Sequence, residues 1–474
     1  MIFVDTIHLH AGLFPNRPAI IMADRRVTYR MLSDEIHWVS ARLHQAGFRS
    51  GDMVIVDIEN PIRHFTLVSA LMNLGMVSMT ASGSITEVPE VGITAVLASR
   101  TMATPQAMRL VVVDDRWFQP LDDAAYPIDP ASRDPNRLIM FGLTSGTTGQ
   151  QKAIPFTVGE FDLRLRNLML YHGAPGTERD LVLIGFASQW ALSETARALA
   201  SARTVCLARN AEEAVRLIDL YQVGVILGSP QQFAGLLAAL DEAPVSCASV
   251  RLASLAGAML GAELAAGIRK RITPLVLVGY GSTEAGKTAL ASLDTVEMIP
   301  GGVGHIVPSA RLEIVDDEDN AVAPGASGRV RIIAAGGGRP YERGTLYPDR
   351  TPDWFYPGDL GHLTAEGLLV IEGRTDELIN AGGLKVAPDR VEELVAGRRD
   401  IADAAAFAVR GAGGFDQIWL AIVQRQPVQP DELIAFCRRR SETLAPVRIV
   451  VVDAIPRNAM GKVERAKLKA LAGR

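Results

Sequence analysis

GYGSTEAGKTAL, residues 279–290, carries the pattern glycine, four residues, Gly-Lys-Ser/Thr from Gly281 to Thr288, and the run before it, PLVLV, reads as a buried strand. Whether this is a nucleotide-binding Walker loop decides the fold. A Walker loop ordinarily opens its domain, leads into a helix at the Lys-Ser/Thr pair, and precedes a strand that ends in a magnesium-binding Asp. Here the match falls more than halfway along a 474-residue chain, and the following ALASLDTVEMIPGG is short and poorly periodic for a helix. The acidic IVDD (314–317) lies in a stretch that reads as antiparallel β. The match is expected to be a coincidence, with a P-loop NTPase working through residues 281–288 as the remote alternative.

The rest of the chain supplies the context. Hydrophobic residues make up 48% and charged residues 21%, with a mean hydropathy of +0.16, the profile of a packed globular protein too long for one ordinary core. A net charge of −5 without a basic stripe argues against nucleic acid. No apolar run approaches the length of about 18 residues that spans a bilayer, and MIFVDTIHLHAG lacks the basic start of a signal peptide. A cytoplasmic protein with no integral membrane segment is expected. Cys206, Cys247 and Cys437 are odd in number and far apart, so they read as buried hydrophobes and not as a disulfide or zinc framework. His8 and His10 share a face if their segment is extended, with no third ligand nearby.

Periodicity gives an α/β rhythm. TYRMLSDEIHWVSARLHQAG (28–47) and PIRHFTLVSALMNLG (61–75) read as helices closed by glycine, with the strand MVIVDI (53–58) between them. RLIMF (137–141), LVLIGF (181–186), RTVCLA (203–208) and VGVILG (223–228) read as further strands, and AEEAVRLIDLYQ (211–222) and QQFAGLLAALDEA (231–243) as helices. Such alternation predicts mainly parallel sheets. After Gly301 the texture changes to short strands with turn signals, as in ARLEIVDDEDNAVAPGASGRVRII, predicting an antiparallel region. After Gly373 comes a small α+β unit of about 100 residues, which puts a domain boundary near Arg374–Asp376.

LTSGTTGQQK (143–152), directly after RLIMF, is the stronger candidate for binding phosphate. Six of its ten residues are Gly, Ser or Thr. Its backbone can bend into a nest of N–H donors around Gly146, with hydroxyls from Thr144, Ser145, Thr147 and Thr148 and the charge of Lys152 at the end. A flexible loop between a strand and a helix has the same composition. No Gly-x-Ser-x-Gly elbow and no Gly-x-Gly-x-x-Gly dinucleotide loop is present.

TSGTTGQQK (144–152), YGSTE (280–284), WFYPGDLG (354–361), GRTDELINAGGLKV (373–386) and PRNAMGK (456–462) resemble, in order and rough spacing, the motifs of the adenylate-forming (AMP-binding) superfamily of acyl-CoA synthetases, amino-acid adenylation domains and luciferases. The resemblance covers nearly the whole chain. It implies two α/β subdomains plus a β-barrel-like part over residues 1–375, and a small mobile α+β domain over 376–474. It implies an enzyme that activates a carboxylic acid with MgATP, releases pyrophosphate and passes the acyl group to the thiol of CoA. The alternative is a stand-alone adenylating enzyme that loads a carrier protein's phosphopantetheine.

By this resemblance Tyr280 and Gly281 flank adenine, Thr283 contacts the α-phosphate, and Glu284 helps to hold Mg²⁺, a hard cation that takes oxygen ligands. Asp359 resembles the carboxylate that accepts the ribose hydroxyls, and Arg374 a second ribose or phosphate partner. Asp376 stands at the hinge. Gly382 and Gly383, lacking Cβ atoms, let a pantetheine arm approach the backbone. Lys462 resembles the lysine that bridges carboxylate and α-phosphate, where a cation offsets the repulsion of two anions. Phe186, Ala187, Ser188, Trp190, Gly257, Gly286 and Lys287 fall at the acyl pocket.

The chain departs from the family pattern at several points. Gln151 stands where proline commonly precedes the loop lysine, AGAML (256–260) replaces paired glycines, and GASGR (325–329) lacks the usual following glutamate. GFASQWAL (185–192) has no histidine where many acyl-CoA synthetases carry one, and the segment between Met79 and Val111 is short for the family. Amino-acid-activating members carry an Asp after the aromatic residue of this segment, whereas Ala187 follows Phe186 here. An α-amino acid would bury an unpaired ammonium, so amino acids are expected to be poor substrates. Lysine is rarely buried unpaired, which favours a solvent-facing Lys287 over one that meets a second polar group of the acid.

Overall fold

The computed structural model describes residues 3–80, 91–104, 108–145, 151–172, 177–186, 188–299, 301–337, 354–381, 384–411, 416–457 and 463–472. Four sheets organise them. A six-stranded sheet is built on Met53–Asp57, whose central residues Val54, Ile55 and Val56 are buried on both faces. This is the mark of a strand with cover on both sides. Its strands run parallel except for the last, Gln151–Thr157, which returns antiparallel to Leu138–Ser145. LTSGTTGQQK therefore joins two antiparallel strands, and the helix Val158–Tyr171 begins only after the second. Thr157 caps that helix with Glu160 in a reciprocal capping box.

The second sheet has thirteen strands. From Pro18–Ile21 to Val276–Ser282 its six core strands are parallel. At Val276–Ser282 the pairing turns antiparallel and continues so through Gly286–Ser292, Gly302–Ile306, Leu368–Arg374, Asp359–Leu363, Gly328–Ala334 and Ala310–Val315. The antiparallel texture after Gly301 is thus present and continuous with the parallel half. Residues 181–186 are strand only as far as Val182, within Arg179–Val182, because the chain then leaves the sheet toward the helix Gln189–Ala200.

Beyond residue 384 the strands Ile401–Arg410, Asp416–Gln424 and Arg448–Val451 form a separate three-stranded sheet. It has its own apolar cluster around Leu420, Ile422, Leu433 and Cys437. The final helix, Arg465–Ala472, is tied back by Arg465, which bonds Glu377 at 2.9 Å, Asp389 at 3.1 Å and Glu392 at 2.9 Å.

Two minor expectations resolve simply. All three cysteines are buried and free. His8 and His10 lie on a helix, Phe3–Leu13, and not on an extended segment, so they point apart: His8 Nδ1 meets the Ser33 hydroxyl at 2.8 Å and His10 Nδ1 the Leu199 carbonyl at 3.1 Å. Among the described residues, no helix is long and apolar enough to cross a membrane.

Candidate active site

The stretch 279–290 is a β-hairpin. Val276–Ser282 and Gly286–Ser292 pair antiparallel, with Ser282 opposite Gly286 and Gly281 opposite Lys287, and residues 283–285 form the turn. Lys287 and Thr288 lie inside a strand and the next helix, Leu293–Met298, begins only after it, so the Walker arrangement is absent from this stretch. Glycine at 281 is dictated by the hairpin: a Cβ there would lie 1.9 Å from the Gly286 carbonyl oxygen. Gly286 turns at φ +69°, which glycine adopts without strain.

This turn meets the end of the Leu138–Ser145 strand. A Cβ on Gly142 would come within 2.9 Å of Thr283 Cγ2 and 3.5 Å of Gln189 Cγ, so the missing side chain is what lets three segments converge. Thr144 and Ser145 close that strand opposite Lys152 and Gln151, and Lys152 is exposed. Gly146, Thr147 and Thr148 lie outside the described residues, as do Ala187, Gly382, Gly383 and Lys462.

On the other side of the hairpin, the Tyr280 hydroxyl donates to Asp359, and Arg374 donates to the other oxygen of Asp359 at 3.2 Å. Asp359 and Arg374 are direct cross-strand partners, and Asp359 is only 8% exposed. Burial and the adjacent Asp359 carboxylate push the Tyr280 hydroxyl well above its ordinary pKa, so it remains a donor. Arg374 also reaches Asp376 at 3.1 Å and Glu377 at 3.7 Å. Residues from 280, 359, 374 and 376 therefore form one charged cluster. The Glu284 carboxylate is partly exposed and makes no hydrogen bond among the described residues, which suits an oxygen ligand for Mg²⁺.

Four residues that hold this region carry no motif signal in the sequence. Arg164, on Val158–Tyr171, donates to the Thr283 carbonyl at 2.7 Å, the Glu284 carbonyl at 3.5 Å and the Gly336 carbonyl at 3.4 Å, and its guanidinium lies 4.5 Å over the Phe156 ring. Burial lowers its pKa to about 10, with Glu284 opposing the shift. The signal was an arginine on the apolar stripe of its helix, beside Phe161, Leu165 and Leu168. Similarly, Glu194 and Arg197 sit on the buried face of Gln189–Ala200. His172 caps the preceding helix at its C-terminus and reaches into the same region.

These residues link into a buried chain beside the expected acyl pocket. Arg203 and Arg197 both grip Asp180, Arg197 Nε donates to Glu194 at 2.9 Å, and His172 Nδ1 meets Glu194 at the same distance. Trp190 donates its indole N–H to Glu194 at 3.2 Å. Burial takes His172 down to about 4, so it is neutral near pH 7, donating at Nδ1 and accepting at Nε2. Burial works against ionising Glu194, but its pairing with His172, Arg197 and Lys287 outweighs that and holds the carboxyl below the usual range.

The chain ends at Lys287, whose Nζ lies 2.8 Å from His172 Nε2 and 5.9 Å from the centre of the Tyr171 ring. A solvent-facing Lys287 is thus corrected: the side chain turns inward and is partly buried, because His172 arrives from a distant segment to accept its hydrogen bond. Burial lowers its pKa to about 8, against the pull of Glu194. Between about 8 and the ordinary 10.5 the unfolded chain binds the proton that the folded chain has lost, so this group makes stability rise with pH through that window. Denaturant midpoints from pH 7 to 10 should rise more steeply in wild type than in Lys287→Met; equal slopes would refute a depressed Lys287.

Of the other pocket residues, Phe186 is 8% exposed and stacks on His64 at 5.6 Å. Ser188 caps the helix Gln189–Ala200 by accepting from the Trp190 N–H at 3.2 Å. Gly257 is exposed at φ +95° just after the strand Leu252–Ala256.

Comparison with known proteins gives the family and the fold. The family model described as AMP-binding enzyme matches residues 8–341, and the chain belongs to that family. It is 24% identical to an indoleacetate–CoA ligase of Aromatoleum aromaticum, over 99% of this chain and 98% of the relative. It is 26% identical to a 2-succinylbenzoate–CoA ligase of Bacillus licheniformis, over 97% and 98%. It is 25% identical to enterobactin synthase component E of Escherichia coli, over 95% and 91%. The fold matches that of o-succinylbenzoate CoA synthetase (MenE) of Bacillus subtilis in complex with its acyl-adenylate intermediate, with a TM-score of 0.84, 22% identity and coverage of 98% and 97%. It also matches ATP-bound MatB from Rhodopseudomonas palustris, with a TM-score of 0.82, 19% identity and 98% of both chains covered.

Proposed function

We propose that this chain is an AMP-forming acid–thiol ligase. A carboxylate oxygen of the acid attacks the α-phosphorus of ATP, the bond to pyrophosphate breaks, and an acyl-adenylate forms. The sulfur of CoA then attacks the acyl carbon and AMP leaves. The observation that carries this reading is the convergence of Tyr280, Asp359 and Arg374 on one side of the 283–285 turn, with the end of the Leu138–Ser145 strand on the other. Adenosine belongs at the first and phosphates at the second. The similarity to CoA ligases over nearly the whole chain supports it. Glu284 would hold Mg²⁺, which supplies charge neutralisation for the phosphates. ATP and CoA are cytoplasmic substrates, so the cytoplasm is the compartment this reading implies.

The deciding experiment is pyrophosphate release across a panel of carboxylic acids, with and without CoA. Acid-dependent release and CoA-dependent thioester are expected, with α-amino acids poor. ATP hydrolysis indifferent to every acid would reject the reading. Similarity to enterobactin synthase component E favours carrier-protein phosphopantetheine as the second candidate acceptor, and competition between CoA and a phosphopantetheinylated carrier separates the two.

We assign Asp376 as the pivot between residues 1–375 and 376–474, with Gly382 and Gly383 as the approach for the thiol arm. Proline fixes φ near −65° and removes a donor, so Asp376→Pro should trap one orientation and leave one half-reaction at least about tenfold slower than the other, relative to wild type. Unchanged rates for both half-reactions would exclude Asp376 as the pivot.

A further inference from the structure

We propose that Lys287 is a specificity-determining residue that binds a second anionic group of the acid, so that the substrates are carboxylic acids carrying a carboxylate or phenolate remote from the reacting carboxyl. The inference rests on the ligase reading above and adds the substrate class.

Three observations carry it. The first is placement. The hairpin register shifts between Tyr280 and Gly281, so the 287–289 side carries one extra residue. Such bulges re-aim side chains. Lys287 is thereby set opposite Gly281, and its Cε passes 3.4 Å from where a Cβ of Gly279 would stand. Gly279 in turn pairs with Ala256 on the next strand. Ala256 and Gly279 thus form a floor with almost no side-chain volume, and Lys287 stands at its end beside Tyr171.

The second is charge. Along the hydrogen-bonded chain, Asp180 and Glu194 are matched by Arg197 and Arg203, His172 is neutral, and protonated Lys287 is one cation in excess. Among the described residues no carboxylate lies within salt-bridge distance of its ammonium. Of its three N–H donors, His172 takes one. A partly buried cation in this condition is driven to shed its proton, as its pKa near 8 records, and an arriving anion reverses that drive.

The third is reach. Lys287 is paired with Gly281 close to the turn that carries Thr283, so one hairpin holds both the cation and the expected reacting end of the site. Short bifunctional acids, such as a six-carbon diacid or a para-substituted benzoate whose first carboxyl reacts at the Thr283 turn, are therefore the probes of choice. The groups facing Lys287 are His172 and Tyr171 from one helix, Glu194 and Arg197 from the next, and Ser254, which meets His172 at 3.3 Å, from the neighbouring strand.

The test measures pyrophosphate release for matched acids: hexanedioate against hexanoate, and terephthalate and 4-hydroxybenzoate against benzoate. Wild type should favour the bifunctional acid of at least one pair. In Lys287→Met the ratio of kcat/KM between bifunctional and monofunctional acid should fall by roughly 10- to 100-fold, the worth of a charge-assisted hydrogen bond, mainly through KM. Lys287→Arg should restore part of the ratio. Wild-type kcat/KM for the bifunctional acid should also decline above pH about 8, where Lys287 loses its proton, while that for the monofunctional acid does not. A ratio unchanged in Lys287→Met, with both acids still turned over, overturns the recognition role and leaves the ligase reading intact. Pyrophosphate release with no acid of any kind overturns both.

Discussion

Replacing Lys462 with alanine is expected to lower acyl-adenylate formation by on the order of 10²–10³-fold or more, while thioester formation from supplied acyl-adenylate stays largely intact. The first half-reaction brings a carboxylate anion to a polyphosphate, and like charges oppose the approach until a cation stands between them. The second has no such demand, because the thiol attacks an acyl carbon whose carboxylate charge is already gone. PRNAMGK supplies that cation through Lys462 in our assignment. The flanking residues are well anchored: Arg457 bridges to Val463 and holds Asp403 at 2.7 Å, and Arg465 is bound by three carboxylates. Acyl-adenylate formation, measured by acid-dependent ATP–pyrophosphate exchange, and thioester yield from synthetic acyl-adenylate should therefore separate. Equal loss of both would mean that Lys462 serves the whole fold or both steps, and the assignment would fall.

Arg164→Met should be the most damaging change away from the nucleotide itself. It strips a charged donor from the carbonyls of Thr283, Glu284 and Gly336 and leaves them in a site with little water, at a cost on the order of 3 kcal/mol in stability. The Thr283 and Glu284 side chains depend on this turn for their aim, so exchange should fall by roughly tenfold or more even at temperatures where the variant is fully folded. Arg164→Lys should recover only part of this, since an ammonium lacks the planar fork of donors that serves several carbonyls at once. Wild-type exchange in folded Arg164→Met would show that the hairpin holds the turn unaided.

Both predictions bear on how far the amino-acid sequence could be read. The parallel strands were legible because they are short continuous apolar runs, and the helices because their stripes end in Gly47 and Gly75, both at positive φ. The false Walker match was legible too, through its surroundings, although its actual form as a hairpin was not. A hairpin turn at 283–285 looks locally like any Gly/Ser/Thr-rich bend. The candidate nucleotide residues could be named from motifs because each motif is contiguous. What holds them could not: Arg164 lies 119 residues from Thr283, and His172 115 residues from Lys287. Long-range polar partners leave no periodic trace, only an ionisable residue on an otherwise apolar helix face, as with Arg164, Glu194 and Arg197. Lys287 was misjudged for the same reason, since a lone lysine reads as solvated until a distant histidine is known to face it.

Arg374 divides its guanidinium between Asp359 on one side and Asp376 and Glu377 on the other. It is a shared tenant of two neighbourhoods. In our assignment a ribose that draws Arg374 and Asp359 toward itself would weaken the hold on the 375–377 turn, and thermodynamic reciprocity would then require that any rearrangement of that turn alter nucleotide affinity by the same factor. ATP, AMP and the acyl-adenylate carry one ribose but different charge beside it, so each sets its own balance at this arginine. If the ribose sits at Asp359 as we propose, the chemical state of the nucleotide would be felt at the 375–377 turn through a single side chain, without any intervening relay.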